Sequence, residues 1–155
     1  MKTMKRIVAC LLAVGMVLSI AACGGSEQSV TLKTTQDVYG ISMTDTMTLN
    51  SKGDTVQELK EVLEVDLADF SDDQKAAVKD QYDAFVDMYN AVDGCTASGS
   101  LGDTSYTISI TVDCTGNALN ELNSQGLMAI TGNGGRISLK ASQQELEKQG
   151  YTVVQ

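Results

Sequence analysis

Histidine is absent from all 155 residues. Its absence removes the usual general base, the Ser-His and Cys-His dyads, and the most common zinc ligand. The familiar serine nucleophile settings are missing too, since neither G-x-S-x-G nor S-x-x-K occurs. Positive charge is scarce, with 11 Lys and Arg against 20 Asp and Glu. Such an acidic chain is repelled by phosphate backbones and anionic headgroups, which argues against nucleic acid as a partner. No cofactor and no catalytic residue is expected.

The first residues are unlike the rest. Lys2, Lys5 and Arg6 precede an uncharged, mostly apolar run from Ile7 to Ala22. A basic start, an apolar middle and small residues at the end describe a cleaved secretory leader. At 16 residues the run falls short of the roughly 20 needed to cross a bilayer as a helix. It ends on Ile20-Ala21-Ala22-Cys23, which resembles the lipobox of bacterial lipoproteins. That resemblance implies a diacylglycerol thioether on Cys23 and cleavage between Ala22 and Cys23. Two or more acyl chains hold a protein stably where one does not. The expected organisation is a leader at 1–22, a lipidated tether at 23–29 and one domain at 30–155. Loss of Lys2, Lys5 and Arg6 with the leader leaves 133 residues and a net charge of −12. That length can bury about two-thirds of its unfolded surface.

Cys10 leaves with the leader and Cys23 carries lipid, so Cys95 and Cys114 remain. An even pair in an exported domain reads as a disulfide. Tyr106, Ile108, Ile110, Val112 and Cys114 alternate with polar residues, as do Cys95, Ala97, Gly99 and Leu101, so 95–114 reads as a hairpin. A tight turn at Gly102-Asp103 would set Cys95 opposite Ile110. A turn from Asp103 to Tyr106 would set it opposite Cys114, within disulfide reach, and a bridge would select that register.

Elsewhere the periodicities are plain. Residues 30–36 and 41–50 alternate as strands, with Asp37–Gly40 as the turn between them. Asp45 shares the apolar face of the second strand and reads as a guard at a sheet edge. Residues 55–67 fit a strand, with Leu59, Leu63, Val65 and Leu67 on one face, or a helix capped by Thr55-x-x-Glu58. The strand is preferred because it extends the hairpin into a meander. Ser71 and Gln74 form a capping box for a helix over 71–92 with Val78, Tyr82, Phe85, Tyr89 and Val92 inward. Shorter helices are expected over 117–125 and from Ser142, with a short strand at 136–139. The sum is one α+β domain: an antiparallel sheet of hairpins or a meander, with a long helix and two shorter helices on one face.

Several acids and one loop invite a functional reading. Asp66, Asp69, Asp72 and Asp73 cluster at the start of the long helix, and Asp80, Asp83 and Asp87 follow its outer face. Neither set matches a calcium loop, so no metal site is expected. Gly132–Arg136 lacks the Lys-Ser/Thr of a phosphate loop and reads as surface. The lipobox, the Lys52-Gly53-Asp54 turn, the capped helix, the second hairpin and the phrases Ile137–Ser142 and Leu146–Tyr151 together resemble the YehR-like family of small bacterial lipoproteins. That resemblance implies a compact α+β domain and a strand at 55–67, and it implies no activity. The expectation for function is a non-catalytic binding or interaction module, lipid-anchored at the outer face of the cell membrane. Its partner would be an envelope protein, a wall polymer or a small ligand. The alternatives are an envelope-maintenance factor and a carboxylate-based cell-wall hydrolase.

Overall fold

The computed structural model describes residues 15–19, 25–132 and 136–154. The expected lipidation and cleavage positions, Ala22 and Cys23, lie outside the described residues, as do Asn133, Gly134 and Gly135 of the glycine-rich loop. Two long hairpins set the architecture. Strand β2 (Glu27–Val38) pairs with β3 (Ile41–Lys52), and β3 pairs with β4 (Thr55–Asp66). The strict alternation of β3 drives this, because Met43, Met47 and Leu49 are buried on one face while Ser42, Thr44, Thr46 and Thr48 line the other. Residues 55–66 are therefore strand, as the meander required, and Leu67 lies just past it. Pairing begins at Glu27, so residues 27–29 of the expected tether are strand.

The β2–β3 turn is Tyr39-Gly40, with both residues at positive φ, the conformation that a two-residue hairpin loop needs. The β3–β4 turn is Gly53-Asp54, with the left-handed φ on glycine. One residue beyond it a bulge interrupts the ladder, as Asn50 faces Glu58 but Ser51 faces Val56. The extra residue, Gln57, offers its carbonyl to the Cys114 N–H.

After β4 the chain crosses the sheet as helix α1 (Asp72–Asn90). Ser71 and Gln74 close the expected capping box, with Asp72 and Asp73 in the first turn where the helix dipole favours them. The predicted inward stripe is buried together with Val86. The helix stops at Ala91, earlier than expected, and left-handed Gly94 leads into β5. Strands β5 (Cys95–Leu101) and β6 (Ser105–Asp113) form the second hairpin, and β6 docks on β4. Helix α2 (Ala118–Ser124) buries Leu119 and Leu122 as expected, and short β7 (Ala129–Gly132) and β8 (Arg136–Ile137) follow. Helix α3 (Leu139–Lys148) starts one turn before the expected Ser142, because Ser138 caps it. Ser142 is instead buried inside the helix. The chain ends in β9 (Thr152–Val153) on the edge of β2.

The main sheet runs β5-β6-β4-β3-β2-β9, antiparallel throughout. Its inward face and the helices share one apolar core, from Leu32 and Met47 through Tyr82 and Tyr106 to Leu146. A second sheet was not anticipated. In it β1 (Gly15–Ser19) lies between β7 and β8.

The second hairpin adopts neither expected register. Cys95 faces Val112, Ala97 faces Ile110 and Gly99 faces Ile108, halfway between the two alternatives. The faces are unchanged, since the shift is by two residues. Residues 102–104 form the loop, closed by Gly102 N–H to the Ser105 carbonyl at 2.8 Å and tied by the Leu67 N–H to the Thr104 carbonyl at 2.7 Å. The Tyr106 ring lies over Gly99, where a Cβ would sit 2.8 Å from its Cζ. These contacts hold Cys95 out of line with Cys114, and both are free thiols in this structure.

Candidate functional site: a buried acid pair beneath a strapped helix

Asp45 corrects the edge-guard expectation. It sits on β3, an interior strand, and is 8 % exposed. Glu61 on β4 is 6 % exposed on the same inward face. Asp45 pairs with Leu63 and Met47 with Glu61, so the two acids are diagonal neighbours, about 7–8 Å apart at Cα. Tyr151, just past α3, donates its hydroxyl to Asp45 Oδ2 at 2.5 Å. Asp45 Oδ1 has no partner among the described residues.

Burial dominates the electrostatics here. Desolvation lifts the Asp45 carboxyl from 3.8 to about 6, against the lowering effect of the bonds from Tyr151 and the Thr46 backbone. Glu61 is pushed well above its ordinary range, by burial first and by the Asp45 charge second. Tyr151 and Tyr89 are also raised, through burial and then through Asp45 and Glu61 respectively. Both carboxyls are thus pushed toward their neutral forms, Asp45 by burial and Glu61 by burial and the neighbouring Asp45 charge. Glycoside hydrolases also use a pair of carboxyls, but those must reach a sugar on either side of a scissile bond. Asp45 and Glu61 are covered by Tyr151 and the core.

The two ends of α3 hold this lid in place. At its start the first three amides find partners from outside the helix or from its cap. Leu139 N–H donates to the Asp54 carbonyl at 2.8 Å, Lys140 N–H to Asp54 Oδ1 at 2.8 Å, and Ala141 N–H to Ser138 Oγ at 3.1 Å. Ser138 in turn donates to Asp54 Oδ2 at 2.7 Å. The β3–β4 turn thus neutralises the positive end of a helix 85 residues further along the chain. At the other end left-handed Gly150 turns the chain, and Tyr151 N–H returns to the Leu146 carbonyl at 3.0 Å. The phrases Lys52-Gly53-Asp54 and Ile137–Ser142, remote in sequence, meet at this joint.

The other candidates fall apart as sites. Asp69, Asp72 and Asp73 are exposed around the start of α1, and Asp66 accepts the Ala68 N–H as a local turn. Asp83 accepts the Tyr106 hydroxyl at 2.5 Å and pairs with Lys79, which together hold its carboxyl below the usual range. Among the described residues no group of three or more Cys, Asp or Glu could hold a metal. Cys95 and Cys114 are raised to about 11 and about 12, burial leading in both, which makes them poor nucleophiles. Glu61 escaped the sequence reading. The signal was present, because position 61 falls between Leu59 and Leu63 in the inward alternation of β4.

The outward face of the main sheet is built of hydroxyls. Thr31 and Thr48 are 3.1 Å apart at Oγ1 and Thr35 and Thr44 are 3.0 Å apart, with Thr107, Ser109 and Thr111 continuing the surface on β6. A six-stranded antiparallel sheet, hydroxylated outside and helix-covered inside, with Asp45 and Glu61 buried on its inward face, defines a small α+β domain. Comparison gives it a family. The model of the DUF1307 family of proteins of unknown function matches residues 28–152, and the chain belongs to that family. The NMR structure of the Escherichia coli YehR protein shares the fold, with a TM-score of 0.61 at 17 % identity over 84 % of this chain and 93 % of that one. A Streptococcus pneumoniae TIGR4 protein gives a TM-score of 0.49 at 16 % identity over 88 % and 90 %. No curated protein matches the chain.

Proposed function

We propose that this chain is an exported lipoprotein, held by acyl chains on Cys23 at the outer face of the bacterial cell membrane, whose domain binds a partner and performs no chemistry. The observation that carries the reading is the leader itself: Lys2, Lys5 and Arg6, the run Ile7–Ala22, and the closing Ile20-Ala21-Ala22-Cys23. The path of the chain beyond it is compatible. Ser26 already accepts the Gly53 N–H at 3.0 Å, so only a few residues separate Cys23 from folded structure. A tether that short keeps the Gly53-Asp54 turn and the start of α3 near the headgroups and turns the rest of the domain outward. A net charge of −12 leaves the lipid as the source of membrane affinity.

Absence of histidine and burial of the acid pair support a binding role over hydrolysis. The partner is an envelope protein, a wall polymer or a small ligand. Two measurements test the anchor. Radiolabelled palmitate should enter the protein, and Cys23→Ser should move it from the membrane fraction to the soluble one. An unlabelled protein whose fractionation ignores that substitution overturns the reading. Cross-linking on intact cells then identifies what the exposed domain touches, and glycan turnover by the purified protein would overturn the non-catalytic part.

A further inference from the structure

Strand β1 is the middle of its sheet. Gly15–Leu18 run parallel to Ala129–Gly132, and Leu18 and Ser19 pair antiparallel with Ile137 and Arg136. Helix α3 packs alongside. Removal of residues 1–22 takes this strand out from between its neighbours. The backbone groups of β7 and β8 that faced it are then left without partners, as two edges facing one another across one strand's width. An unpaired edge is a template for another strand, and a slot with two edges templates both sides of it.

We propose that the β7–β8 slot of the mature protein is a strand-addition site for an extended, uncharged apolar segment of about five residues from a partner polypeptide, lying parallel to β7. This rests on the lipoprotein reading, which is what vacates the slot. The chain's own leader shows the fit, because Gly15–Ser19 (Gly-Met-Val-Leu-Ser) is uncharged and occupies the slot in a defined register. The surroundings suit such a guest: with β1 in place Ile137, opposite Leu18, is fully buried, and Ile130, opposite Met16, is packed against the core. An acidic segment would meet the repulsion of a domain at −12.

The test uses the mature lipidated protein, extracted from membranes in detergent, and a synthetic peptide with the sequence of residues 13–20. Amide hydrogen exchange at Ala129–Thr131 and Ile137 should slow at least tenfold on adding the peptide. A peptide N-methylated at alternate residues, which cannot pair as a strand, should leave exchange unchanged. The uncleaved precursor, made with Cys23→Ala, should already be protected and ignore the peptide. Absence of slowing overturns the inference, and so does protection without peptide, which would mean that β7 and β8 have closed on each other as a hairpin. Equal slowing by the methylated peptide overturns it as well. Intact mass separates the two levels: a chain from cells that retains residues 1–22 defeats the lipoprotein reading itself, whereas a cleaved chain that ignores the peptide defeats only the slot.

Discussion

A carboxylate buried at Asp45 makes the stability of this domain depend on pH in an unusual direction. Its carboxyl titrates near 6 in the fold and near 3.8 when unfolded, so folding favours the protonated form. A group raised in this way contributes stability that is fully present below the unfolded value and is lost as pH rises through the folded one. The domain should therefore become more stable as pH falls from 7.5 to 5, by about 1.4 kcal/mol of the roughly 3 kcal/mol that a shift of this size contributes in full only below the unfolded value. Glu61, raised in the same direction, acts with it. Asp83, Glu58 and Glu145 are lowered by exposed partners and oppose the trend only in more acid solution. Denaturant midpoints against pH check this, and Asp45→Asn should flatten the slope while keeping an oxygen for Tyr151. A midpoint that falls steadily between pH 7.5 and 5 in the unaltered protein would contradict the burial argument. At Gly99 the constraint is steric. Gly99→Ala places a methyl against the Tyr106 hydroxyl, and displacing that ring disturbs its stacking on Tyr82, 5.2 Å between centroids, and its bond to Asp83. The expected loss is about 1–3 kcal/mol. The same packing holds the register that sets Cys95 opposite Val112 and not Cys114, so the unfolded protein should titrate two thiols and reductant should leave the thermal midpoint unchanged.

Among the elements, α3 depends most on a distant residue. Asp54 receives three hydrogen bonds at the helix start, two of them on its carboxylate. Asp54→Ala leaves Ser138 Oγ–H and the Lys140 amide without those acceptors, and about 2 kcal/mol should be lost, near the upper end for a helix cap. Because α3 holds Tyr151 over Asp45, the substitution should also speed exchange of the Tyr151 amide. Equilibrium unfolding combined with exchange reads both, and unchanged exchange there would sever the joint from the lid. The same helix shows where local sequence stops being informative. Ser142-x-x-Glu145 is a sound capping pattern, yet Ser138 prevails because Asp54 arrives from 84 residues away to complete its network. Strands β3 and β6 were legible from alternation alone, since each has one dry face, whereas β4 fitted a helix equally and needed the meander to decide it. Strand β1 was not legible, because an apolar run after basic residues reads as a leader whatever it pairs with. The register of β5 on β6 needed the loop contacts of Thr104 and the Tyr106 ring. For the acid pair, alternation alone placed Asp45 on the core face, but only the order of strands shows that β3 is interior. Glu61 became its partner through a register that no single strand encodes.

At the scale of the whole molecule the charge balance is the strongest term left unspent. Past residue 22, eight basic residues face 20 acidic ones, and the three ion pairs found among the described residues are partly exposed: Lys60–Glu58, Lys79–Asp83 and Lys148–Glu145. Exposed pairs of this kind contribute about 0–1 kcal/mol each. Most acids are instead spread over α1, the loops and the outer rows of the sheet, where they repel one another across the solvent. A compact state carrying −12 gathers that repulsion more densely than the expanded chain does, so it loses stability by self-repulsion. Salt shortens the reach of these interactions from about 30 Å at 0.01 M to about 8 Å at 0.15 M. The thermal midpoint of the domain should thus rise between those two ionic strengths at pH 7.5, and sodium and potassium chloride should act alike because screening depends on charge and concentration. The same titration at pH 5 should give a smaller rise, since Asp45 is by then largely neutral. A midpoint that is flat or falls with salt would mean that the dispersed ion pairs outweigh the net charge, and the acidity would then have to be explained by a partner and not by solubility.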